Sequence, residues 1–341
     1  MTRSSIRILF TVLAVIALGL VAAACGSDNS NSSDTTTPAT TATQAAGSGN
    51  IPASEKAANK ITPVQGASGV SLKVGSKNFT EQFILGEIYT QALQAAGYKV
   101  KKDLNLGSEL IAYKAVRQGA VDAYPEYTGT SLTSFFKVKI ADVPKDPAKA
   151  YQEAKADYAK VGITALPTTP FENTYRMAVT KKEAAALGNP TKISDLKGKS
   201  QNMVVNGFPE CRQRIDCLLG VERGYGLTFK RFLPGENKFQ ILDNGDADIA
   251  FVFTTDGPLS SGKYVILDDD KHIFPPYNIS FTVRDSAAKK LGADGQKVIT
   301  DVQKYMTESI MQELNARVDI DKEQPANVAA DYLKNFGFVA A

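Results

Sequence analysis

The chain of 341 residues has no tryptophan, three cysteines and a single histidine, His272. One histidine argues against a His-rich metal site and against a His-based catalytic dyad. No Gly-rich loop of the phosphate-cradling type is present, which argues against a nucleotide hydrolase. An excess of one charge is also missing: 39 Lys and Arg face 36 Asp and Glu, for a formal +3. The first 24 residues carry Arg3 and Arg7 and no acid, so the remainder has 37 basic residues against 36 acidic ones. Such a balance does not recruit nucleic acid by bulk charge. What is present is ordinary globular material, 43% hydrophobic and 22% charged, in a chain long enough for two domains.

The one long apolar run, ILFTVLAVIALGLVAAA, follows Arg3 and Arg7 and stops at Cys25-Gly26-Ser27. A basic start, a short apolar stretch and small residues before the break predict an export signal over residues 1–24. Cys25 after VAAA resembles a bacterial lipobox, although Ala22 stands where leucine is usual. The expectation is therefore a lipidated Cys25 that anchors an exported protein to the outer face of the cell membrane. From Gly26 to about Gly69 the chain is rich in Ser, Thr, Ala, Asn and Gly. That composition cannot bury enough to offset its ordering entropy, so residues 25–70 are expected to be a flexible tether. Cys211 and Cys217 remain. In an exported protein they are expected to form a disulfide worth roughly 2 kcal/mol; the alternative is two separate buried thiols.

From Leu72 onward strands alternate with helices, which predicts an α/β fold with largely parallel sheets. SLKVG, AVDAY, TYRMAVT, NMVVN, DIAFVF, YVILD and ISFTV read as strands. NFTEQFILGEIYTQALQAAG reads as a helix, with Asn78 and Glu81 at capping-box spacing and Gly97 as the stop. SELIAYKAVRQG reads as a second helix, ended by Gly119. A third starts with Asp146 as cap and Pro147 in its first turn. Asp268 to Asp270 lacks the ligand spacing of a calcium loop and is expected to be a solvated turn.

An internal echo links AVRQGAVDAY to ILDNGDADIA. Gly119 and Asp122 of the first correspond to Gly245 and Asp248 of the second, and five residues past each aspartate stands an aromatic, Tyr127 or Phe253. A polar residue follows three further on, Thr130 or Asp256. Two lobes of like design are implied, each carrying an aromatic at the C-terminal end of a strand, where open α/β sheets hold ligands.

The motifs VGSKNFTEQFILGEI, DAYPEYTGT, FENTYRMAV, TTDG and DDDKHIFPPYN, in this order, resemble the quaternary-ammonium-binding lipoproteins of ABC importers. The resemblance runs from about Leu72 to Phe338. It implies a two-lobed, type II periplasmic-binding-protein-like fold with a ligand cleft and two hinge crossings. Lobe 1 would comprise residues 71–173 and 278–341, and lobe 2 residues 174–277. It further implies a trimethylammonium head held by Tyr127, Tyr175, Tyr277 and Phe253, the last replacing a more usual tyrosine. A quaternary ammonium has no N–H to donate, so hydrogen bonds cannot select it, but ring faces can attract it at roughly 0.5–2 kcal/mol each. Lys77, Thr130 and Arg214 match residues that would hold the carboxylate of a betaine, the arginine with a two-pronged bond.

The expected function is capture of glycine betaine or a relative for delivery to permease subunits, by a monomer that needs no cofactor and performs no catalysis. Two other readings remain open: a different small solute, such as a flat aromatic compound, and a sensor role.

Overall fold

The computed structural model describes residues 53–340. The expected signal segment, Cys25 and the first part of the expected tether lie outside the described residues.

Short apolar segments bounded by glycine and proline build two five-stranded sheets. The first contains β1 (Ser71–Gly75), β2 (Lys99–Asp103), β3 (Ala123–Tyr127), β4 (Ile163–Glu172) and β10 (Asn278–Arg284). The second contains β5 (Tyr175–Thr180), β6 (Val204–Gly207), β7 (Arg231–Pro234), β8 (Ile249–Phe253) and β9 (Tyr264–Leu267). Their strand orders are β2-β1-β3-β10-β4 and β7-β6-β8-β5-β9. Each sheet has two parallel pairings followed by two antiparallel ones. The sheets are thus mixed rather than largely parallel. The cause lies in the crossings: β5 and β10 are the strands by which the chain enters the second sheet and re-enters the first. Each runs opposite to the strand beside it.

The echo has a structural counterpart. Gly119 and Gly245 both end helices in the left-handed region, at φ 78° and 75°. The aspartate after each then ties its strand to the parallel neighbour. Asp122 accepts from Lys73 N at 2.9 Å and donates its own N–H to Lys73 O at 2.8 Å. Asp248 repeats both bonds with Val204, at 2.7 and 2.9 Å.

Each sheet has its own core. Ile84, Leu85, Ile88 and Tyr89 of the helix Thr80–Ala95 pack under Phe281 and Val283 of β10. Met177, Val179, Val205, Ile249 and Phe251 fill the second lobe. Residues 53–70 were expected to belong to the tether, but they pack on the first lobe. Ala53–Asn59 is a helix, Val64 N donates to Ala96 O, Ile61 N donates to Phe338 O, and Ala67 is buried in the core. Polar composition hid this segment, because its few apolar side chains are the ones that meet the lobe.

The chain leaves the first sheet at Glu172 and returns at Asn278. The two crossings are bonded to one another: Asn173 N donates to Tyr277 O at 3.1 Å, and Thr174 Oγ1 donates to Pro275 O at 2.8 Å. Beyond β10 the helix Glu308–Asp319 lies against the second lobe. A Cβ at Gly257 would stand 2.8 Å from the Ala316 backbone, so only glycine permits this approach. No helix among the described residues is long and apolar enough to cross a membrane.

Candidate functional site

A cavity of about 590 Å³ opens between the two sheets, beside the crossings. The strands of the first lobe bring Tyr127 to its wall, from the C-terminal end of β3. Phe253 arrives in the same way from β8, and Tyr175 from the start of β5. Tyr277 comes from the return crossing. Its ring lies on the turn after β3, where a Cβ at Gly129 would sit 2.7 Å from it. The Thr-Gly-Thr turn is therefore small to make room for an aromatic from the other crossing. Tyr175 and Phe253 rings are 4.8 Å apart and inclined by 30°. Lys77, Thr130 and Arg214 line the same cleft, so all seven residues singled out in the sequence meet at one site.

The cations there are already matched. Lys77 is 5% exposed; its ammonium is hydrogen-bonded to Glu126, which is fully buried, and stands 4.3 Å from the Tyr127 ring centroid. Glu126 also accepts from Tyr124 Oη at 3.0 Å and from Tyr127 N at 2.7 Å. Burial pushes the Glu126 carboxyl above its usual range, and Lys77 works against that rise. Arg214 forks onto buried Asp216, Nε to Oδ1 at 2.8 Å and Nη2 to Oδ2 at 2.5 Å. The guanidinium carbon is 5.7 Å from the Tyr175 ring centroid. Asp216 raises the guanidinium's hold on its proton. Cys211 and Cys217 are bridged and buried, with a Cα–Cα distance of 5.2 Å, and close the loop that carries Arg214.

Four participants were not legible in the sequence. Phe79, 39% exposed, stacks over Tyr127 with centroids 6.1 Å apart. Lys238 pairs with Asp256 at 2.6 Å and lies 4.7 Å from the Phe253 ring centroid, so each lobe backs its strand-end aromatic with a lysine–acid pair. Glu81 is the largest departure. The capping box with Asn78 does not form, and Phe79 is the cap, without a side-chain bond. Glu81 instead turns into the cleft wall and accepts from Tyr127 Oη at 2.7 Å, Asn173 Nδ2 at 3.1 Å and Asn315 Nδ2 at 3.2 Å. Burial outweighs these donors and holds the Glu81 carboxyl above its usual range, although every group facing it donates. The Asp268–Asp270 run is likewise not a solvated turn throughout: Asp269 is buried and accepts from Tyr225 Oη at 2.5 Å and Phe274 N at 2.8 Å, fixing the approach to Tyr277.

Residues 70–335 match the family described as the substrate binding domain of ABC-type glycine betaine transport system. A glycine-betaine-binding protein of Pseudomonas aeruginosa PAO1 is 34% identical over 79% of this chain and 88% of its own length. An ergothioneine transport permease/ergothioneine binding protein, EgtU of Helicobacter pylori G27, is 28% identical over 78% of this chain and 48% of its own length. Among solved structures, one titled as a glycine betaine/carnitine/choline ABC transporter superposes with a TM-score of 0.72. It is 26% identical, over 78% of this chain and 99% of that one.

Proposed function

Because the chain belongs to the family of substrate-binding domains of ABC-type glycine betaine transport systems, we propose that it captures a carboxylate-bearing quaternary ammonium solute, glycine betaine or a close relative, for delivery to a permease. The family binds solutes and is not enzymatic. The observation that carries the ligand reading is the convergence of four rings with Lys77, Thr130 and Arg214 in one cleft. A trimethylammonium group cannot donate a hydrogen bond and is attracted to ring faces. A carboxylate would be met by Thr130 and by the outer N–H groups of Lys77 and Arg214, whose inner ones face Glu126 and Asp216. Contacts from both lobes to one ligand favour their closure over it.

A hydrogen bond to a charged group contributes roughly 1.5–3 kcal/mol, so glycine betaine should bind about tenfold or more tightly than choline, which lacks the carboxylate. Calorimetric titration with glycine betaine, choline and ergothioneine decides the matter. Tighter choline binding would remove the carboxylate reading. Binding of ergothioneine alone would support a different solute.

The proposal includes attachment to the outer face of the membrane by a lipid on Cys25, in a monomeric receptor. Cys25→Ala should abolish incorporation of labelled fatty acid and release the chain from the membrane fraction. Unchanged labelling would remove the anchor.

A further inference from the structure

We infer that Glu81 is a specificity-determining residue, the negative charge that makes the cleft select a cationic head group over a neutral one of the same shape. This inference rests on the reading of the cleft as a quaternary-ammonium site. The charge pattern around the cavity carries it. Lys77 is matched by Glu126, Arg214 by Asp216, and Lys238 by Asp256. Each of these pairs is close to neutral when seen from the cavity. Three further acids line the cavity, Glu81, Glu109 and Asp319, none with a cationic side chain at ion-pair distance among the described residues; Asp319 is exposed and Glu109 half-buried, and only Glu81, 2% exposed, is buried in the wall. Its surroundings supply donors instead. Tyr127 Oη, Asn173 Nδ2 and Asn315 Nδ2 all point at it, and both amides leave their own Oδ1 buried and unbonded. Such an all-donor shell suits an ionised carboxylate, which only accepts. The position in the first turn of the helix Thr80–Ala95 favours the same charge.

The geometry makes that charge useful to a ligand. Glu81 binds the hydroxyl of the ring that forms the first-lobe wall, so a cation on the Tyr127 face has the carboxylate beyond the hydroxyl edge of that ring. A proton shared toward a carboxylate also leaves the phenol ring richer in electrons, which strengthens its attraction for a cation. The other donors come from the crossing (Asn173) and from the helix Glu308–Asp319 (Asn315), which lies against the second lobe. The charge is thereby held still at the junction of the lobes and needs no rearrangement when the ligand arrives.

The test compares glycine betaine with tert-butylacetate, its carbon isostere, which has the same carboxylate and the same head shape but an uncharged head. Binding of both is measured by competition in the wild type, Glu81→Gln and Glu81→Asp. The wild type should prefer glycine betaine. Glu81→Gln keeps the size and the accepting oxygen, and should cut that preference by at least tenfold, the effect expected of one charge within roughly 10 Å at an effective dielectric of about 20. The loss should fall on glycine betaine and leave tert-butylacetate unchanged or tighter. Glu81→Asp keeps the charge and should retain most of the preference. Equal weakening of both ligands by Glu81→Gln would show a structural role only and overturn the inference, with the ligand reading intact. An unchanged preference would overturn it in the same way. Failure of the wild type to bind either compound would overturn the ligand reading and this inference together.

Discussion

Lys77→Met should destabilise the folded protein by about 3–5 kcal/mol, the cost of leaving a buried charge without its partner. Glu126 is fully buried and Lys77 supplies its only cation within ion-pair distance among the described residues. Methionine fills the space of the lysine stem but offers nothing to the carboxylate. The neighbouring donors, Tyr124 Oη and Tyr127 N, remain and are insufficient for a full charge. The pH dependence has a definite sign. Burial already raises the folded-state pKa of Glu126 above its unfolded value, and losing Lys77 raises it further. A raised carboxyl pKa favours folding below the unfolded pKa and loses that favour as pH climbs through the folded one. The deficit of Lys77→Met should therefore be largest at neutral pH and above, and shrink as the medium is acidified toward the unfolded carboxyl pKa. Adding Glu126→Gln should recover most of the stability. Urea unfolding at neutral and mildly acidic pH measures both effects. A single variant that unfolds with wild-type stability at neutral pH would show that the pair does not hold the wall.

Tyr127→Ala should weaken glycine betaine and choline alike, by about thirtyfold if a desolvated ring face contributes about 2 kcal/mol. Both ligands share the head group, so a ring that reads the head cannot distinguish them. The same change removes a large side chain from the first-lobe core, where Tyr127 is 4% exposed, and should cost about 3–5 kcal/mol of stability. Titrations must therefore be run well below the unfolding temperature, with the folded fraction checked by circular dichroism. Tyr127→Phe separates the two effects: it keeps the ring and the packing, and loses only the bond to Glu81. It should lie between the wild type and Tyr127→Ala for both ligands. Selective loss of one ligand on Tyr127→Ala would mean that the ring reads something other than the head.

The elements with local causes were legible in the sequence. The helix after β3 starts at Pro147 with Asp146 accepting from Lys149 N, as its spacing predicts, because a cap is settled within four residues. Gly119 and Asp122, repeated as Gly245 and Asp248, foretold two lobes of one design, because a left-handed helix end and a short return to the strand are local geometry. The long motifs around Tyr127, Tyr175 and Tyr277 foretold which rings would meet, through their resemblance to a family rather than through any property of a lone tyrosine.

What lay beyond the sequence has a different physical origin. Glu81 had the spacing of a capping box, but donors 46, 92 and 234 residues away take its carboxylate into the wall. Burial with several hydrogen bonds outweighs one local cap. Lys77 was expected, from the resemblance, to hold the carboxylate of a ligand; that Glu126, 49 residues on, pairs with it was not foreseen. Lys238 gave no local signal at all, because what makes it part of the site is Asp256 and the ring of Phe253, placed beside it by the second sheet. The chain by itself determined the elements, the lobe design and the residue types at the cleft. Only the tertiary structure decided which charges of the wall cancel and which acid stays buried without a cation, because pairing in a wall depends on distance across the fold and on exclusion of water, and neither is written in the spacing of residues along the chain.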